Sequence, residues 1–255
     1  MGRGSKGHRS LNQSQRRLYY AVNLDGRIQW VSEDTVEVRL GEPVAEETLA
    51  SIEKISHWIR LKKPEWLIDF CYGFGVLSLV VRPERIDTSI LNYEFCSVLN
   101  RPTSEIHRED SQVIEIPVCY SQEFGLDLRS ISEKTNLSVN EIIDLHCGRD
   151  YRVLATGFVP GFAYLGETDH VIHLPRRDTP RTRVPAGSVA IAENQTAIYP
   201  EETPGGWHII GRTPGSIVSL STDSINAKLA MGRSVRFKSI SMDEFAKIEA
   251  MDDPD

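Results

Sequence analysis

Five arginines and no lysine fall between Gly157 and Gly215: Arg176, Arg177, Arg181, Arg183 and Arg212. A guanidinium is a planar fork whose donors match the oxygens of a carboxylate or a phosphoryl group. In an extended chain Arg181 and Arg183 share one face and Thr182 takes the other, whereas Arg176 and Arg177 split across the backbone. Two readings stand side by side. One is an anion site; the other is a set of loop arginines that satisfy carbonyls and the neighbouring Asp178, Glu201 and Glu202. In Thr203-Pro204-Gly205-Gly206-Trp207 the paired glycines let the backbone approach a ligand or another chain closely, and Trp207 is expected to anchor a core. In Pro160-Gly161-Phe162-Ala163-Tyr164, Phe162 is expected to pack, while the Tyr164 hydroxyl can face a ligand.

Other chemistries find less support. There is no Walker A loop, no G-x-S-x-G elbow and no H-E-x-x-H pair. Gly73-Phe74-Gly75 joins two strand-like runs, the wrong setting for a dinucleotide turn. His170 and His173 lie three apart in a stretch that reads as a strand, a spacing that sends them to opposite faces and argues against a shared metal. Cys71, Cys96, Cys119 and Cys147 form no C-x-x-C pair and each neighbours apolar residues, which fits buried reduced thiols in a cytoplasmic protein.

These side chains need a scaffold. The Gly157–Gly215 stretch holds 8 of the chain's 18 glycines and 7 of its 13 prolines. Proline fixes φ and glycine permits positive φ, so this backbone is shaped residue by residue. Strand-like runs fall at 171–174, 188–192, 196–199, 207–210 and 217–220, with another at 234–240 and a last amphipathic turn at 242–248. Short strands at close spacing with Gly/Pro turns indicate a closed or nearly closed β-barrel. Upstream, 113–120 and 151–156 read as strands flanking short helices at 127–135 and 139–146, the second opened by a Ser138–Glu141 capping box and stopped at Gly148.

Earlier still, the pattern is β-α-β-β-α. A strand at 35–40 precedes a helix at 46–61 with Leu49, Ile52, Ile55, Ile59 and Trp58 at helical spacing. Strands at 66–72 and 76–81 form a hairpin about Gly73-Phe74-Gly75, and a helix over 83–99 turns Ile86, Ile90 and Leu91 inward. The fold class is therefore α+β: an N-terminal α+β sandwich over 30–105, a polar linker, and a barrel domain over 112–242. Residues 1–24 carry Arg3, Lys6, Arg9, Arg16 and Arg17 with no acid and no apolar core, and read as a disordered tail. A net charge of −7 argues against a nucleic-acid binder, and no apolar run is long enough for a membrane span.

Three stretches, PGFAYLGETD, LPRRDTPRTRVPAGSVAIAENQTAIYP and TPGGWHIIGRTP, resemble in order and spacing the family of the bacterial 5-oxoprolinase B subunit. That family is also described as allophanate hydrolase subunit 1 and as an inhibitor of a sporulation sensor kinase. The resemblance runs from about Ile114 to Phe237. It implies a cyclophilin-like barrel of carboxyltransferase type and partnership with the homologous C subunit of 5-oxoprolinase and with its A subunit. It further implies the ATP-driven opening of 5-oxo-L-proline to L-glutamate. Magnesium would arrive with ATP, and no tightly bound cofactor is implied. On this reading Arg181, Arg183 and Tyr164 are the candidate catalytic residues, and Gln195, Gly205, Gly206 and Arg212 the candidate substrate-binding ones. A histidine-kinase inhibitor, or part of a urea carboxylase or allophanate hydrolase, are the alternatives. Ala163 and Glu167 depart from the family's PGFPYLGG, and Ala190, Glu193, Asn194 and Ala197 from its GIAGGQTGIYP, which puts the substrate in question more than the fold.

Overall fold

A computed structural model describes residues 24, 26–101, 113–220 and 225–252. The chain divides into two compact units, 1–107 and 108–255. The expected tail and most of the expected linker lie outside the described residues. Leu24, placed in that tail, is buried and donates its N–H to the Asn92 side chain.

In the first unit β1 (Ile28–Trp30), β2 (Thr35–Arg39), β4 (Val76–Val81) and β3 (Leu67–Gly73) form an antiparallel sheet in that order. Val36 and Val38 on β2, with Leu77, Leu79 and Val81 on β4, are fully buried, as period-two alternation requires of a half-buried sheet. Helix α1 (Glu46–Lys62) answers with a buried stripe of Leu49, Ile52, Ile55 and Ile59 and ends where Lys63 turns left-handed before Pro64. The hairpin between β3 and β4 turns through Phe74 at φ +50° and Gly75 at φ +78°, the two positive values that a tight two-residue loop demands.

The helix expected over 83–99 is broken. Pro83–Arg85 forms a 3-10 turn, and helix α2 (Thr88–Leu99) starts afresh at Asp87, whose carboxylate accepts from the amides of Ser89 and Ile90. Restarting shifts the helical phase, so Leu91, Phe95 and Val98 face inward and Ile90 is exposed, contrary to expectation. Cys71 is likewise exposed rather than buried, because it sits on the half-covered strand β3.

The second unit is a closed seven-stranded barrel. Its circuit runs β7 (Ala163–Gly166), β10 (Gln195–Ile198), β9 (Ser188–Ala192), β12 (His208–Arg212), β5 (Ile114–Cys119), β15 (Ser234–Ile240), β6 (Asp150–Thr156) and back to β7. All pairs are antiparallel except β5 with β15. Closure leaves no edge strand. Helices α3 (Leu128–Thr135) and α4 (Val139–Cys147) contribute Leu128, Ile131 and Ile142 to the core that includes Val118, Leu165, Ile191 and Phe237. The Ser138–Glu141 capping box forms as expected.

Two antiparallel ribbons lie beside the barrel circuit: β8 (Arg181–Val184) with β11 (Thr203–Gly205), and β13 (Val218–Leu220) with β14 (Ile225–Ala227). Helix α5 (Met242–Asp252) ends the described chain. The strand expected at 171–174 is instead a 3-10 turn over 170–172. Asp169 caps it by accepting from the Val171 amide, and Leu174 makes a single bridge to Glu193. Here side-chain-to-backbone bonding overrode apolar alternation.

Candidate functional site

Strand β9 is buried on both faces. Val189 and Ile191 point into the barrel core, whereas Ala190 and Ala192 join a second cluster on the outside with Phe162, Val184, Ala197, Tyr199, Trp207 and Ile209. Alanines keep this outer surface low, so aromatic rings pack over it. Phe162 contacts Tyr164, Tyr199 and Trp207 edge-on with centroids 4.9, 5.4 and 6.1 Å apart, and Tyr164 reaches Trp207 at 6.0 Å. Such edge contacts suit the ring quadrupole. Trp207 and Phe162 pack as expected. Tyr164 is half-buried on β7 directly opposite Ala197, and Gln195 lies two residues along β10 on the same face.

Tyr199 is the centre of this patch. Burial pushes its phenol up in pKa, partly offset by a hydrogen bond with the Trp207 backbone and the nearby positive charges of Arg176 and Arg181. Gly205 lies so close that a Cβ there would fall 2.3 Å from the Tyr199 hydroxyl, while one on Gly206 would meet only Pro180 at 3.7 Å.

The arginines take separate roles. Asp127, at the start of α3, is 3 % exposed. Arg181 grips its carboxylate with two hydrogen bonds of 2.8 and 2.9 Å, Arg177 adds one of 2.6 Å, and the Ile209 amide donates a fourth at 2.7 Å. Burial pushes the Asp127 carboxyl up, but these donors outweigh it and hold the group below the usual carboxylate range. Arg181 thus fastens the β8–β11 ribbon to α3 and β12. Arg183 pairs with Glu202 in solvent at 2.7 Å. Arg212 stacks its guanidinium over Phe124, 4.6 Å from the centroid, beside the separate Phe124–Phe245 contact. The structure therefore brings Tyr164, Arg181 and Gly205 together around Tyr199, with Gly206 and Gln195 at the margins. Arg183 and Arg212 do not join them.

Inside the barrel a second polar assembly occupies what is otherwise apolar core. His146 is fully buried, stacked on Phe237 at 4.5 Å. The Thr196 hydroxyl spends its proton on the Ala190 carbonyl at 3.1 Å, so it accepts from His146 Nε2–H at 2.9 Å. Nδ1 is then the acceptor, taking the Tyr120 O–H at 2.7 Å, and the Cys147 thiol donates to Tyr120 in turn. Burial lowers the imidazole pKa to about 3, which keeps it neutral.

Sequence reasoning missed Asp127, Tyr199 and His146. Asp127 stands 54 residues from Arg181, and no local pattern links them. Among the described residues no group of three or more His, Cys, Asp or Glu stands together as a metal site, and no helix is long and apolar enough to cross a membrane.

Residues 26–226, which take in parts of both units, match the family model described as carboxyltransferase domain, subdomain C and D. A protein named as the B subunit of 5-oxoprolinase from Escherichia coli O157:H7 is 36% identical over 215 residues, 83% of this chain and 94% of that one. A protein of the same name from Bacillus subtilis (strain 168) is 47% identical over 111 residues, 44% of this chain and 46% of that one. Among solved structures, TTHA0988 superposes with a TM-score of 0.68 at 33% identity, over 81% of this chain and 40% of that chain. The matched part thus spans less than half of the Bacillus relative and of TTHA0988, and nearly all of the Escherichia relative. The match across both units and the near full-length likeness place this chain in the carboxyltransferase subdomain C and D family, that of the proteins named as B subunits of 5-oxoprolinase.

Proposed function

We propose that this protein is a subunit of an ATP-dependent 5-oxoprolinase, which opens 5-oxo-L-proline to L-glutamate together with the homologous C subunit of that enzyme and with its A subunit. The observation that carries this reading is the likeness to the Escherichia relative across 94% of its length. The outer face of the barrel is in keeping with it, because a small ring needs an apolar wall with a few hydrogen-bonding groups at its edge. The half-buried Tyr164, backed by the buried Phe162 and Trp207, supplies that wall, and the Tyr164 hydroxyl and the Gln195 amide are the groups assigned to orient the lactam.

A lactam is a poor electrophile. ATP, with its magnesium, would supply the phosphoryl group that, on the lactam oxygen, makes the ring carbon a better electrophile for water, so that the C–N bond can break and the nitrogen leave as the amine. Hydrogen-bond donors must then meet the negative charge that develops there. This chain has no phosphate-binding loop motif and, among its described residues, no acidic or histidine cluster for a metal. On this reading the nucleotide site is completed by a partner chain. Arg181 acts as a positioning residue: through Asp127 it fixes the ribbon that carries Gly205 against Tyr199. A cytoplasmic setting, where ATP is at hand, follows from the same reading.

The test is co-expression with the candidate partner subunits, followed by glutamate release from 5-oxo-L-proline with and without ATP. ATP-dependent release by the complex, and none by this chain alone, is the expected result. A complete complex that releases no glutamate in the presence of ATP overturns the proposal.

A further inference from the structure

We propose that Arg176 is a substrate-binding residue whose guanidinium holds an anionic group, a carboxylate or a phosphoryl oxygen, beside Tyr199. Of the five arginines on the 157–215 stretch, four are committed. Arg177 and Arg181 hold Asp127, Arg183 holds Glu202, and Arg212 lies over Phe124. Arg176 is exposed, and among the described residues it has no hydrogen-bonded or ion-paired acid.

Its backbone, by contrast, is held on both sides. The Pro175 carbonyl accepts from His208 Nε2 at 2.9 Å, and the Arg177 N–H donates to the Gly206 carbonyl at 2.8 Å. Those two bonds set Arg176 alongside residues 206–208, next to Gly205 and the Tyr199 hydroxyl it touches. Its charge is felt by that phenol. A guanidinium with a fixed base and no internal acid can take a bidentate anion without first giving up another partner. The sequence could not single it out, because all five arginines look alike until the partners of the other four are known.

This inference rests on the reading of the protein as part of a 5-oxoprolinase, in which the anion is the substrate carboxylate; the alternative source is a nucleotide phosphate. The full chain, and the complex co-purified with its partner subunits, are titrated calorimetrically with 5-oxo-L-proline, with 2-pyrrolidone, which lacks the carboxylate, and with inorganic phosphate. Arg176→Ala is expected to weaken 5-oxo-L-proline binding about tenfold or more. The 2-pyrrolidone affinity should not change, and Arg176→Lys should recover part of the loss. The unfolding temperature of Arg176→Ala should match wild type, since no internal partner is lost.

If the phosphate affinity alone depends on Arg176, the subsite stands and its anion is a phosphoryl group. If wild type and Arg176→Ala bind both anions equally, or neither binds an anion, the subsite is overturned. That result leaves the glutamate-release assay to decide the function. A wild-type complex that releases no glutamate yet binds an anion through Arg176 removes the function and keeps the subsite.

Discussion

Asp127 and Arg181, 54 residues apart in the sequence, meet through two hydrogen bonds of 2.8 and 2.9 Å in a site where the carboxylate is almost wholly out of water. With Arg177 and the Ile209 amide they tie α3, β8 and β12 into one block. Removing one partner of a buried pair leaves an uncompensated charge, which costs about 3–5 kcal/mol. Asp127→Asn is therefore expected to destabilise the second unit by an amount of that order in denaturant unfolding. Arg183→Ala, which breaks only an exposed pair, should stay within about 0.5 kcal/mol of wild type. Equal effects of the two substitutions would refute the assignment of Asp127 as the hub.

The buried His146 predicts acid sensitivity. Its pKa is about 3 in the fold, against about 6.5 in an unfolded chain, so the unfolded state binds the proton more readily between those values. The stability that comes from keeping the ring neutral is fully present above about pH 6.5. It is lost progressively as the pH falls towards 3, amounting to about 2 kcal/mol by pH 5. In His146→Phe the stability lost between pH 6 and pH 4 should be smaller by about 2.5 kcal/mol, whatever the variant's stability at pH 7. An unchanged slope in denaturant titrations would count against this account.

Two glycines in the first unit separate steric clash from backbone preference. Gly75 has φ +78°, and a Cβ there would lie 2.2 Å from the Gly41 carbonyl oxygen. Gly26 has a similar φ, +75°, with nothing within 4 Å. Gly26→Ala should cost about 1 kcal/mol, the left-handed penalty alone. Gly75→Ala should cost about 3 kcal/mol or more because backbone must also move. Thermal unfolding of the two variants compares them directly.

Gly205 and Gly206 differ in the same way at the candidate site. Gly205→Ala drives a methyl into the Tyr199 phenol and should disturb the aromatic cluster, lowering activity of the reconstituted complex about tenfold or more. Gly206→Ala meets only Pro180 at ordinary contact distance and should retain activity within about twofold. If both variants behave alike in the glutamate-release assay, Gly205 has no special place in the site.

Tyr164→Phe keeps the ring packed against Phe162 and Trp207 and removes only the hydroxyl. If that hydroxyl orients the lactam, kcat/KM for 5-oxo-L-proline should fall about tenfold. Wild-type kinetics in this variant would remove Tyr164 from the site.

The sequence by itself determined the elements whose signals are local. Alternation at 35–39, 76–81 and 234–240, the helical stripe of Leu49, Ile52, Ile55 and Ile59, and the capping box at Ser138–Glu141 each lie within a few residues, and each formed as the pattern requires. Glu193 shows the same legibility: it stands where the family resemblance expects glycine, and its φ is +54°. Local signals failed where a neighbouring side chain competed for the backbone, as at Asp87, which restarted a helix, and Asp169, which replaced a strand with a turn. The short ribbon strands carrying Arg181 and Gly205 had too few residues for a period to show. Only the tertiary structure decided which arginine is bound to what. Ion pairing depends on distance in space and on burial, and neither is encoded in spacing along the chain. Barrel closure brought Asp127 to Arg177 and Arg181, set His146 against Thr196 across 50 residues, and left Arg176 beside Tyr199 with no acid of its own.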